Sequence, residues 1–188
     1  MRCCETQANN NCCIPICGCE EQNNDVVKKK KIVIDFMYLD LSVCDRCQGT
    51  EDSLEEAIAE VKRVLELTGI EVVVNKIHID SEGKAIQYRF VSSPTIRING
   101  KDIQLEAKES LCESCGDLCG DEVDCRVWIY NGKEYNVPPK AMIIDAILRE
   151  IYGNKDSSDN DENIKEQKYE LPENLKKFFE SMRQKGKK

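Results

Sequence analysis

Two groups of cysteines carry the chemistry that this chain can do. The first is Cys44-Asp45-Arg46-Cys47, a C-x-x-C pair, whose spacing lets two thiols cycle between dithiol and disulfide. A thiolate is the attacking species in that exchange, and a nearby cation or a helix N-terminus stabilises it. Cys44, nearer the end of the apolar run before it, is the expected nucleophile; Cys47 would then resolve the mixed disulfide. The second group is Cys112, Cys115, Cys119 and Cys125, four thiols within fourteen residues, with glycine after Cys115 and after Cys119. Four thiolates suit tetrahedral zinc or an iron–sulfur cluster. The gaps of two, three and five residues match neither the paired C-x-x-C of zinc ribbons nor the run of a bacterial ferredoxin. Metal ligation is the leading expectation for these four, with redox disulfides as the alternative.

Six of the twelve cysteines (Cys3, Cys4, Cys12, Cys13, Cys17 and Cys19) crowd into the first nineteen residues. Neighbouring cysteines bridge each other only with strain, yet together they can wrap a thiophilic ion such as Cu(I), Zn(II), As(III) or Hg(II). Residues 1–27 are otherwise polar and asparagine-rich, so they are expected to form a disordered or metal-binding tail. The only histidine, His78, falls inside an expected strand. A Cys–His hydrolase is therefore poorly supported, and a surface or packing role suits it better.

Composition narrows the classes. A chain of 188 residues buries enough apolar surface to fold without disulfides. The N-terminus lacks an apolar h-region, no stretch reaches the length of a membrane span, and a cytoplasmic setting is the expectation. In a reducing compartment, dense cysteine points to metal or redox chemistry rather than to structural bridges. With 27 basic against 35 acidic residues and a net charge of −8, the chain offers nucleic acid no broad electrostatic footprint.

The elements that must position these thiols follow from periodicity. Ile32 to Leu41 is nearly continuously apolar and rich in β-formers, as a strand buried on both faces should be. Gly49-Thr50 suggests a helix start with Thr50 as N-cap; Leu54, Ala57, Ile58, Val61, Val64 and Leu65 then repeat at helical spacing to the stop at Thr68-Gly69. Ile70 to Ile79 completes a βαβ unit with parallel strands. A weaker helix spans Gly83 to Phe90. Pro94 introduces a strand over Thr95 to Ile98, which Asn99-Gly100 turns into a hairpin with Asp102 to Leu105. Asn131-Gly132 makes a second hairpin from Arg126 to Tyr130 and Lys133 to Val137. Pro138-Pro139 opens a helix with Met142, Ile143, Ala146, Ile147 and Ile151 on its apolar face. Residues 154–170 read as a linker. In 171–188, Leu171, Leu175, Phe178, Phe179 and Met182 line one face of a short helix, expected to dock on its own domain rather than on a partner.

The order strand, C-x-x-C, helix, strand, short helix, proline-led hairpin and final helix resembles the thioredoxin fold. The runs Asp40 to Thr50, Ser93 to Gly100 and Cys112 to Trp128 together resemble an uncharacterised, cysteine-rich family of thioredoxin-like domains of unknown function from anaerobic and metal-exposed prokaryotes. The resemblance implies an α/β, thioredoxin-like fold over residues 28–153, carrying a cysteine-rich insertion at 106–126 and an extra β-hairpin. It further implies that Pro94 is preceded by a cis peptide bond and stands beside Cys44 and Cys47 as part of a catalytic dithiol site. It implies no substrate.

Two functions from different classes fit these residues. One is a thiol–disulfide oxidoreductase using Cys44 and Cys47, whose partner would be a protein dithiol or disulfide. The other is a thiolate protein that binds or detoxifies thiophilic metal ions without turnover. An interaction module presented by the C-terminal helix is a third. Nucleic acid and membranes are not expected partners.

Overall fold

The computed structural model describes residues 30–114, 123–153 and 169–185. Among them are seven strands and four helices. They are β1 Lys30–Tyr38, α1 Asp45–Leu67, β2 Ile70–His78, α2 Glu82–Gln87, β3 Thr95–Ile98, β4 Lys101–Asp102, β5 Lys108–Leu111, β6 Asp124–Tyr130, β7 Lys133–Tyr135, α3 Lys140–Tyr152 and α4 Glu173–Lys185. The N-terminal cysteines, Cys115, Cys119 and residues 154–168 of the expected linker lie outside the described residues.

The strands make a four-stranded sheet in the order β2-β1-β3-β4 and a three-stranded sheet in the order β5-β6-β7. β1 runs parallel to β2, with Ile32 opposite Val72, and antiparallel to β3, with Phe36 opposite Ile96. Side chains alternate across a strand, so β1 serves two cores. Ile32, Ile34 and Phe36 pack with Leu54, Ala57, Val61 and Leu65 of α1 and with Met142, Ile143 and Ile147 of α3. Met37, followed beyond the strand by Leu39, joins Ala85, Phe90, the cysteines and Leu175, Phe178 and Phe179 of α4. The C-terminal helix thus docks on its own domain. No helix among the described residues is long and apolar enough to cross a membrane.

Both hairpin turns take positive φ at each central residue, Asn99 at 50° and Gly100 at 83°, Asn131 at 51° and Gly132 at 74°. Asparagine and glycine tolerate that region, and its twist matches that of the flanking strands.

Several boundaries differ from the expectation, some for local reasons and some for tertiary ones. β1 stops at Tyr38 rather than Leu41, because the Asp40 carboxylate accepts from the backbone N–H of Ser42 at 2.6 Å and of Val43 at 2.9 Å. That turn redirects the chain. α1 begins at Asp45 with Cys44 as its N-cap, five residues before Thr50, so Gly49 lies in the helix rather than ahead of it. A Cβ at Gly49 would stand 2.6 Å from Val137 Cγ2; the glycine admits the segment entering α3, and Ser53 Oγ donates to Pro138 O at 2.5 Å beside it. Thr50 is buried within the helix. β4 ends after two residues, where Asp102 accepts from Gln104 N at 3.0 Å and its carboxylate turns to Arg126. Finally, the 106–126 insertion contains β5 and the start of β6. β5 has weak strand character of its own and is held by antiparallel pairing to β6.

Candidate functional site

The Asp40 turn and the hydrogen bond from Gln48 Nε2 to Leu41 O at 2.8 Å deliver Cys44 to the first turn of α1. There Cys44 takes an extended backbone, φ −82° and ψ 105°, and its Sγ accepts from Cys47 N at 3.4 Å. A sulfur at that position faces the positive end of a helix dipole, which favours the thiolate. Cys47, one turn on, packs against the loop before β3. Its Sγ lies 3.4 Å from Ser93 Oγ, and Ser93 Oγ also accepts from Leu39 N at 3.1 Å. The Ser93–Pro94 bond is cis. Ser93 and Pro94 are buried, and Ser93 O accepts from Arg126 N at 2.7 Å, tying this loop to β6.

The thiol of Cys47 is pushed up from the ordinary cysteine range. Its hydrogen bond to Cys44 is the largest cause, followed by burial and the charge of Cys44; Ser93 and the Asp40 backbone act in the opposite sense. Cys47 therefore holds its proton.

The sequence separates the dithiol from the second cysteine group; the fold joins them. Ser110 pairs with Cys125 and Leu111 with Asp124, and Cys112 N donates to Val123 O at 2.9 Å, extending the ladder by one step. Cys112 and Cys125 are thus diagonal neighbours on one face of the hairpin. That face meets the N-terminus of α1. Cys44 Sγ stands 3.9 Å from Cys112 Sγ, and the sulfurs of Cys44, Cys112 and Cys125 all lie within 4.8 Å of one another. Cys47 is not one of that set.

Arg46 fixes this meeting. Its Nη1 donates to Ser110 Oγ at 3.0 Å and to Cys125 O at 3.2 Å, and its Nη2 to Leu111 O at 2.9 Å. A planar guanidinium can hold several acceptors in one fork, so Arg46 clamps the first turn of α1 onto β5 and β6. Its neighbour in the motif, Asp45, accepts from Ser114 Oγ at 3.0 Å. Sequence reasoning gave Arg46 no part in joining the two cysteine groups; its position between Cys44 and Cys47 was the available signal. Behind the hairpin, Arg126 makes a two-point pair with Asp102 at 2.8 and 2.9 Å, and Asn174 of α4 accepts from Asp124 N at 3.0 Å and donates to Asp124 O at 2.7 Å.

The three sulfurs are buried among largely apolar side chains. Cys44 and Cys125 are 0% exposed and Cys112 is 3% exposed, among Val123, Leu175 and Phe178. A cleft of about 380 Å³, lined by residues including Asp45, Arg46, Glu113 and Asn136, reaches Cys112. His78 stands apart, stacked on Tyr38 at 5.4 Å with Nε2 2.9 Å from Leu39 O. This is the packing role expected of it.

A metal fits the three sulfurs on distance. With metal–sulfur bonds near 2.3 Å, ligands around one tetrahedral ion stand about 3.8 Å apart, close to the 3.9 Å between Cys44 and Cys112. One shared ion suits this spacing better than an iron–sulfur cluster, whose cysteines bind separate irons.

No curated protein and no solved structure matches the chain. A family model does: residues 32–147 match the family described as Domain of unknown function (DUF2703), and the chain belongs to it.

Proposed function

We propose that this member of the DUF2703 family is a thiolate protein that captures a thiophilic ion through Cys44, Cys112 and Cys125. The observation that carries the reading is the convergence of three buried sulfurs, from the α1 N-cap, the residue after β5 and the start of β6, within 4.8 Å of one another. Such ions bind deprotonated thiols. The α1 N-terminus supplies the favourable field for the first thiolate, and Arg46 holds the hairpin that brings the other two. Burial excludes competing water.

Cadmium(II) titration, followed by sulfur-to-metal charge-transfer absorption, tests this in the full-length chain. Replacing Cys112 or Cys125 by Ser should remove one bound equivalent relative to the parent. Retention of every equivalent in both variants would end the reading.

A thiol–disulfide oxidoreductase is the second reading, favoured by Cys44 at the helix N-cap beside a protonated Cys47. The sheet order β2-β1-β3-β4, with α1 and α3 on one face and α2 on the other, supports this reading. So does the cis Ser93–Pro94 bond, whose Ser93 Oγ lies 3.4 Å from Cys47 Sγ. Under this reading Cys44→Ser abolishes reduction of a model protein disulfide, and Cys47→Ser traps mixed disulfides. The burial of Cys44 argues for ion capture first, since a protein disulfide has to reach the attacking sulfur in line.

A further inference from the structure

Resting on the ion-capture reading, we infer that oxidation switches the site off: a disulfide between Cys44 and Cys112 consumes two of its sulfurs and releases the ion. The oxidant is a small hydroperoxide, and a dithiol reductant restores the site.

Geometry selects this pair. Cys44 Sγ stands 3.9 Å from Cys112 Sγ, across 68 residues of chain. Closing that contact to a bond of about 2.05 Å asks each sulfur to move by only about 1 Å. Cys44 is the N-cap of α1, with an extended backbone, and Cys112 follows the last residue of β5, so each stands at the end of an element rather than in its interior. Arg46, two residues after Cys44, donates to Leu111 O at 2.9 Å, one residue before Cys112. The same clamp therefore holds the two sulfurs facing each other.

Cys47 is the partner that the C-x-x-C spacing suggests for Cys44, and its surroundings give it another part. Its N–H donates to Cys44 Sγ at 3.4 Å, and its own sulfur rests 3.4 Å from Ser93 Oγ. Its hydrogen bond to Cys44 and its burial keep its proton in place. A protonated thiol steadies the neighbouring sulfur but does not itself attack.

Access orders the steps. The cleft lined by Asp45, Arg46 and Glu113 borders Cys112, whereas Cys44 and Cys47 are 0% exposed. A hydroperoxide entering the cleft meets Cys112 first. The O–O bond breaks, Cys112 takes one oxygen as a sulfenic acid, and the hydroperoxide leaves as an alcohol, or as water from hydrogen peroxide. Cys44, whose thiolate the α1 N-terminus favours, then attacks the Cys112 sulfur. The S–O bond breaks, the S–S bond forms, and the departing hydroxide takes a proton to become water. In total, two thiols and one hydroperoxide give one disulfide, one alcohol and one water; from the loaded site the two protons come from solvent. A disulfide is no longer a pair of thiolates, so the ion loses two anionic donors at once.

The test uses the full-length parent and the full-length chain carrying Cys3→Ser, Cys4→Ser, Cys12→Ser, Cys13→Ser, Cys17→Ser and Cys19→Ser, which takes the N-terminal thiols out of the count. Each is loaded with cadmium(II), treated with rising amounts of hydrogen peroxide, alkylated, and digested with trypsin and a glutamate-specific protease. Cleavage after Arg46, Glu113 and Glu122 puts Cys44, Cys47, Cys112 and Cys125 on four different peptides, with Cys115 and Cys119 on a fifth. The expected result by mass spectrometry is a Cys44–Cys112 linked peptide. One cadmium(II) should be lost for each such bond, with its sulfur-to-metal absorption, and dithiothreitol should reverse both changes. This mapping needs no substitution at the site, so it does not depend on whether Cys112→Ser folds. A dominant Cys44–Cys47 link, or a link from Cys112 to Cys115, Cys119 or Cys125, would overturn the switch and leave ion capture standing. So would a Cys44–Cys112 bond formed with the cadmium(II) retained. Cadmium(II) binding by the reduced chain that is indifferent to Cys112→Ser and to Cys125→Ser overturns ion capture itself, and shows before any oxidant is added.

Discussion

The two faces of β1 bury comparable side chains to different ends. Toward α1 and α3 the core is hydrocarbon: Ile32, Ile34 and Phe36 against Leu54, Leu65, Ile143 and Ile147. Toward α4 the same strand feeds a core in which Cys44, Cys47, Cys112 and Cys125 lie among Phe90, Leu175, Phe178 and Phe179. A methyl group packed in a core is satisfied by contact alone. A thiol is also content there while protonated, but its useful form is the anion, which burial penalises. The first face therefore sets stability whatever is bound, and the second couples stability to a ligand and to protonation.

The largest contrast comes from truncating the hydrocarbon face. Leu54→Ala should cost about 2–5 kcal/mol, equally with and without a bound thiophilic ion, by urea denaturation. A cost that depends on the ion would show that the two cores are not separable.

Next is the ion itself. At a free concentration a hundredfold above its Kd, an ion bound only by the native state stabilises by about 2.7 kcal/mol. The parent should gain this in thermal or urea unfolding and Cys112→Ala should not. An equal gain in both would place binding elsewhere in the chain.

Arg46 sharpens the comparison, because it belongs to the second face without supplying a sulfur. Arg46→Lys keeps the charge but loses the fork, and should cost about 1–2 kcal/mol of stability while weakening ion binding. Leu54→Ala should leave ion affinity unchanged. Tight binding in Arg46→Lys would mean that the hairpin holds its place without the clamp.

The smallest effect is that of pH. Cys47 is raised above its ordinary value of 9.0, so the folded chain keeps a proton that the unfolded chain gives up in alkali. Stability from this group is fully present below about pH 9 and is lost as pH rises, by about 1.4 kcal/mol per unit. Ion-free parent protein should show this loss and Cys47→Ala should show a shallower one. Identical slopes would remove Cys47 from the account.

Much of the fold was legible because its signals are local. The apolar run at Ile32, the helical repeat from Leu54 to Leu65 and the Asn-Gly pairs at 99 and 131 each report a preference that a short segment can express alone, and β1, the body of α1 and both turns follow them. Gly49 misled for the opposite reason. A glycine beside a threonine reads as a helix boundary, whereas its cause is Val137, far along the chain, pressing on the helix surface. β5 was illegible as well, since its strand character comes from pairing with β6. The cysteines divide in the same way. Their number and the C-x-x-C spacing, which announce thiol chemistry, are properties of the sequence. That Cys112 and Cys125 share one face follows from hairpin register, and that this face meets Cys44 follows from the Arg46 clamp and the packing of α4. Contacts over 68 residues, such as Cys44 with Cys112, carry no local signature, because a sequence lists neighbours along the chain and only the folded core selects neighbours in space.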